Sequence, residues 1–63
     1  MRYGNHYCIL DISSGRELYC GQSEMTAAMN LRPGACWGKG ESKFAAIDMA
    51  QRWARWFRER AAA

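Results

Sequence analysis

The sequence predicts an α+β fold. A small antiparallel β-sheet, made of a hairpin and a short third strand, is covered by a C-terminal amphipathic helix in the order β-β-α-β-α. Three observations predict this fold. Two β-favouring runs flank a Ser-Ser-Gly-Arg turn, a Pro-Gly break separates a short helical segment from a third strand, and residues 42–60 are apolar over half a helical circumference. With 63 residues, the chain forms one small domain, 1–63.

The hairpin consists of residues 6–12 and 17–20, in which side chains alternate between two faces. Gly15 lies in the connecting turn, where it can adopt a positive φ. The face expected to point inward carries Cys8, Leu10, Ile12, Leu18 and Cys20.

A short helix is predicted over residues 24–31, with Ser23 as the N-cap residue. Its inward face is expected to carry Met25, Ala28 and Met29, with Leu31 at its end. Pro33 follows the helix and disfavours helical backbone at the residue before it.

Residues 35–37 form the expected third strand, and Gly38-Lys39-Gly40 is expected to be a tight loop. Lys39 and Lys43 flank the start of the last helix, so this glycine-rich segment is a weak candidate for binding an anion. The spacing of its glycines fits neither the P-loop motif nor the dinucleotide-binding fingerprint. This mismatch favours an ordinary turn.

The last helix is the clearest element of the sequence, and Ser42 is its expected N-cap. At 100° per residue, one half of its circumference is apolar and the other half is polar. The apolar half carries Ala46, Ile47, Met49, Ala50, Trp53, Ala54, Trp56 and Phe57.

The supply of large aliphatic side chains is small, because only eight residues are Leu, Ile or Phe, whereas ten are Ala. We therefore expect aromatic side chains to fill much of the core. The predicted core residues are Cys8, Leu10, Ile12, Leu18, Cys20, Met29, Trp37, Ile47, Ala50, Trp53, Ala54 and Phe57.

Charge and cysteine content narrow the class of protein. Nine basic and six acidic residues give a net charge of +3, which permits a polyanionic partner without requiring one. Three cysteines make a poor disulfide framework, and neither a membrane span nor a signal peptide is predicted. These features predict a cytoplasmic protein with free thiols.

The sequence offers little chemistry for catalysis or for cofactors. His6, Cys8, Cys20 and Cys36 could supply four zinc ligands, but they form no closely spaced pair of cysteines. A Cys–His nucleophile is the one catalytic pairing available, and nothing orders a third group beside it. We therefore expect no enzymatic activity, no cofactor and no metal.

The segment that stands out is Gln51-Arg52-Trp53-Ala54-Arg55-Trp56-Phe57-Arg58-Glu59-Arg60. Arginine and tryptophan are over-represented at protein–protein hot spots, so the leading hypothesis is a small non-enzymatic binding protein, such as a regulator, inhibitor or accessory factor, that can also self-associate. Homodimerisation would support a marginal core. The expected binding residues are Arg52, Arg55, Arg58, Trp56, Tyr7, Tyr19, Lys39 and Lys43.

A nucleic-acid-binding module is the alternative hypothesis, with Arg52, Arg55 and Arg58 contacting phosphates. Attachment of the helix to a membrane is less favoured, because the sheet needs the helix as a cover. Gly40-Glu41-Ser42-Lys43, followed by Ala45, Ala46 and Ala50, resembles the loop and last helix of double-stranded-RNA-binding domains. That resemblance covers the last third of the chain. The chain departs from the family pattern, because it lacks the leading helix and has a helical segment between strands two and three.

Overall fold

The structure is a computed structural model that describes residues 5–62. Three strands and two helices follow one another in the predicted order, and the fold is α+β. The strands are β1 (His6–Asp11), β2 (Glu17–Gly21) and β3 (Ala35–Gly40), and the helices are α1 (Glu24–Asn30) and α2 (Lys43–Ala62). Both neighbours of the central strand β1 run antiparallel to it, in the order β2-β1-β3.

The hairpin turn has the predicted chemistry. Gly15 adopts a positive φ of 75°, and the Asp11 carboxylate accepts hydrogen bonds from the Ser13 hydroxyl and from both the hydroxyl and the backbone N–H of Ser14. These bonds stabilise the charged carboxylate. The Ser14 hydroxyl contributes most to lowering the pKa of Asp11 below its ordinary value.

The prediction that Leu18 shares a face with Cys8 is wrong, because the pairing of β1 with β2 shifts between Ile9 and Leu10. Ile9 lies opposite Tyr19 but Leu10 lies opposite Glu17, so Leu18 is the extra residue of a β-bulge. Leu18 packs with the cluster on the other face of the sheet.

The prediction of three free thiols is also wrong. Cys8 and Cys20 lie directly opposite each other in the register and are joined by a disulfide, whereas Cys36 is free and buried. Both paired cysteines lie on the face of the sheet that α2 covers.

The second face of the sheet is covered by α1. Tyr7, Ile9 and Ala27 are buried there. Ser23 caps α1 as predicted, but Ala27 faces the sheet, and Met25 and Met29 point outward with three quarters or more of their surface exposed. The expectation that Met29 belongs to the core is therefore wrong.

The third strand is longer than predicted, because Gly38-Lys39-Gly40 continues β3 instead of forming a loop. A Cβ on Gly38 would overlap the carbonyl oxygen of Ala46 and the backbone nitrogen of Ala50. The helix therefore packs on the strand at a distance that leaves no room for a side chain at this position, which is a common reason for glycine within a strand.

The helix α2 packs on β3 and β1 through its smallest side chains. Ala46, Ala50 and Ala54 are each at most 1% exposed, and they meet Cys8, Leu10 and Cys36 of the sheet. Ser42 caps the helix, as predicted, by accepting a hydrogen bond from the N–H of Ala45. At 20 residues, α2 is about 30 Å long and so exceeds the roughly 20 Å length of the six-residue β3.

Candidate functional site

Large apolar side chains remain exposed on one side of α2. Trp53 and Phe57, which the sequence predicts to be core residues, are 44% and 40% exposed. Trp37, another predicted core residue, is 39% exposed on β3. These three predictions are wrong. Close contact between the alanines of α2 and the glycine of β3 seats the helix without Trp53 and Phe57. Trp37 stacks instead on Tyr7, on the face of the sheet opposite α2.

These side chains form one continuous surface, because two neighbouring grooves share Trp53. One groove lies along α2 and the other runs between α2 and the start of β3. We call this the aromatic surface, and its residues are Leu31, Trp37, Met49, Trp53, Trp56 and Phe57.

Contacts between the rings hold part of the aromatic surface in shape. The Trp56 and Phe57 rings meet edge to face with centroids 5.0 Å apart, and Trp53 lies within 6 Å of both of them. Such ring pairs are favourable beyond the area that they bury. On β3, Trp37 stacks on the buried Tyr7 with centroids 5.9 Å apart.

Cations border this surface on its solvent side. The Arg60 guanidinium lies 4.7 Å from the centroid of the Trp56 ring, in a cation–π contact. Arg52 lines the same groove as Trp56 and forms an exposed ion pair with Asp48, in which Arg52 Nε lies 3.1 Å from Asp48 Oδ2. Arg52 and Arg60 can therefore contact acidic groups of a partner.

The three arginines predicted to form one strip lie on different sides of α2. Arg52 borders the aromatic surface, whereas Arg55 and Arg58 line a polar crevice against the hairpin turn. Arg58 Nη1 donates a hydrogen bond of 2.7 Å to the Ile12 carbonyl, so one of its donors is engaged within the fold. Only part of the predicted basic strip is available to a single phosphate backbone.

The other predicted binding residues lie apart from the aromatic surface or are covered. Tyr7 is 6% exposed, so the expectation that its side chain is accessible is wrong. The Tyr19 hydroxyl accepts a hydrogen bond from the N–H of Ser23, which fixes it to the start of α1. Lys39 lies 6.0 Å from the centroid of the Tyr7 ring, and Lys43 is the first residue of α2.

Cys36 lies beneath the aromatic surface. Its thiol donates a hydrogen bond of 3.4 Å to the Ala50 carbonyl, and burial raises its pKa despite the opposing charge of Arg58. A raised pKa lowers the fraction of reactive thiolate.

Within residues 5–62, no group of three or more His, Cys, Asp or Glu side chains is arranged to hold a metal ion. In the same part of the chain, neither helix has the length and apolarity needed to cross a membrane.

Comparison with protein-family models, with curated proteins and with solved structures finds no match to this chain.

Proposed function

We propose that this protein is a non-enzymatic protein-binding module and that its aromatic surface is the docking site. The observation that carries the proposal is the burial pattern of α2. The helix buries three alanines and leaves Met49, Trp53, Trp56 and Phe57 at least 40% exposed. Contiguous exposed apolar patches of this kind mark interaction sites on soluble domains.

The composition of the surface favours a protein as the ligand. Tryptophan, arginine and methionine are enriched in the centres of protein interfaces. Taking about 200 Å² for one aromatic side chain, the four rings of the surface expose roughly 300 Å². An interface of standard size needs about 800 Å² from each partner, which the rings can supply together with Leu31, Met49 and the bordering cations.

The test compares wild-type protein with Trp56→Ala and Phe44→Ala as baits in affinity capture, with quantitative mass spectrometry of the bound proteins. Trp56 belongs to the aromatic surface. Phe44 is on another side of the same helix and is 82% exposed, which makes it a matched aromatic control. We expect specific partners, including untagged copies of this chain, to be retained by Phe44→Ala and lost from Trp56→Ala.

Equal capture by all three baits would contradict the proposal. A nucleic acid as the true ligand would give a different pattern. A fluorescent oligonucleotide would bind at about 50 mM salt, dissociate steeply as salt rises, and be lost from an Arg55→Ala/Arg58→Ala variant but not from Trp56→Ala.

A further inference from the structure

The exposed side of α2 lies beside an unpaired strand edge. Within residues 5–62, β3 pairs with β1 alone, so its other edge has no strand partner, and of the backbone groups there the N–H of Ala35 already donates to the carbonyl of Arg32. The N–H of Ile12 donates a hydrogen bond to the carbonyl of Gly34. Because hydrogen-bonded and non-hydrogen-bonded pairs alternate along antiparallel strands, this bond shows which residues of β3 bond to β1. By that alternation, the backbone groups of Cys36 and Gly38 point towards β1, and those of Trp37 and Lys39 point away from it.

We propose that the partner at this site is a second copy of this chain, joined by antiparallel pairing of the two β3 edges and by packing of the two α2 helices side by side. This inference rests on the proposed function, because it assigns the occupant of the aromatic surface. The twofold axis passes beside Trp37, so that Trp37 faces its symmetry mate and Ala35 faces Lys39 of the other copy.

The spacing of the elements fits this arrangement. The helix lies above β3 and β1, and adjacent strands are about 4.8 Å apart. A helix above the middle of that pair is about 5 Å from an axis placed between two β3 edges. The two helices would therefore lie about 10 Å apart, which is close to the usual 8–10 Å for packed helices.

The strand pairing and the helix packing of the proposed dimer also share one twofold axis. Ala50 of α2 lies over β3, because its carbonyl accepts the Cys36 thiol hydrogen bond and its backbone lies against Gly38. An axis beside Trp37 therefore passes close to Ala50. Two antiparallel α2 helices would be centred there, between positions 50 and 51.

The sequence of α2 is self-complementary about that centre. Position 45 of one copy faces position 56 of the other, so the large Trp56 ring meets the small, exposed side chain of Ala45. Position 41 faces position 60, so Arg60 meets Glu41 of the second copy. Arg52, the cation closest to the axis, already has Asp48 as its partner.

A charge exchange tests this geometry. Within one chain Glu41 precedes α2, and Arg60 lies about 25 Å further along the helix, so the two cannot meet. In sedimentation equilibrium, we expect wild type to reach twice its 7.2 kDa mass at high concentration. Glu41→Arg and Arg60→Glu should each raise the dimer Kd about tenfold, and the double variant should return it to within about threefold of wild type.

Two further measurements locate the contact. Ala45→Arg should abolish the dimer while leaving the urea unfolding curve of the monomer unchanged, because Ala45 is exposed in one copy. The amides of Trp37 and Lys39 should exchange hydrogen more slowly as protein concentration rises. A dimer that is indifferent to Ala45→Arg and to the charge exchange would overturn the proposal.

The failure of this inference can be told apart from the failure of the proposed function. A chain that stays monomeric up to about 1 mM, but captures another protein that Trp56→Ala loses, would overturn self-association and leave the protein-binding function standing. A monomeric chain with no capture that depends on Trp56 would overturn both.

Discussion

Two faces of the same helix show opposite relations between side-chain size and burial. The face of α2 against the sheet carries Ala46, Ala50 and Ala54, which are fully buried, and the neighbouring face carries Trp53 and Trp56, which are each 44% exposed. Burying alanine lets the helix backbone approach β3 closely, and dispersion contacts between the backbones replace those of larger side chains. Stability therefore resides in the alanine face, and the aromatic face remains exposed.

The largest expected effect on stability comes from a substitution that disturbs the packing of the alanine face on β3. Gly38→Ala places a Cβ against the backbone of Ala46 and Ala50, and the backbone cannot move aside as a flexible side chain can. We expect a loss of about 2–3 kcal/mol in the free energy of unfolding, measured by urea denaturation. Gly21→Ala is the control, since the three atoms nearest to its added Cβ all belong to the side chain of Tyr19 and none to the backbone. Equal losses in the two variants would contradict the close packing of α2 on β3.

A smaller effect is expected on the arginine side of the helix. Arg58→Ala removes the hydrogen bond to the Ile12 carbonyl, which ties the later turns of α2 to the end of β1. Because the bond is solvent-exposed, we expect a loss of about 1 kcal/mol. Arg55→Ala, on the same side of the helix, has no such bond among the described residues and should cost less. The same urea unfolding curves measure both, and an equal loss in each would count against this bond.

The aromatic face should contribute still less to the stability of one chain. The ring partners of Trp56 all lie within α2, and alanine is a better helix former than tryptophan. We expect Trp56→Ala to change the free energy of unfolding of the monomer by less than about 0.5 kcal/mol while its association is lost. A loss comparable with that of Gly38→Ala would place Trp56 in the folding core instead.

The smallest effect concerns pH. The lowered pKa of Asp11 means that its charged form stabilises the folded state above the ordinary carboxyl pKa of 3.8, and that this contribution is lost as pH falls through the lowered value. Asp11→Asn should therefore flatten the fall in stability between about pH 5 and pH 2. Urea unfolding across that range measures the change, and curves of equal slope for both proteins would contradict it.

Much of the fold follows from local sequence signals. The order of elements, the N-caps at Ser23 and Ser42 and the turn at Gly15 were all predictable, because each depends on residues within a few positions of one another. The Cys8–Cys20 pair also had a signal, since the two residues are symmetric about the hairpin turn. The odd number of cysteines argued against it.

The candidate site could be predicted only in part. Trp56 and Arg52 were expected on the binding surface and border the same groove. Trp53 and Phe57 were expected in the core because large apolar side chains are usually buried, but they are buried only where the helix leaves room for them against the sheet. Trp37 was also expected in the core, but its side chain lies on the face of the sheet opposite α2. Gly38 allows a shorter distance between α2 and the sheet. This distance could not be predicted, because it depends on which residues of α2 contact β3.

The length of α2 relative to the sheet has a hydrodynamic consequence. The molecule measures 45 × 20 × 13 Å, and its radius of gyration is 11.6 Å, compared with about 10.6 Å for a globular chain of this length. An elongated particle diffuses more slowly than a sphere of equal mass. A single copy will therefore elute early from a size-exclusion column, and elution volume alone would overstate its mass.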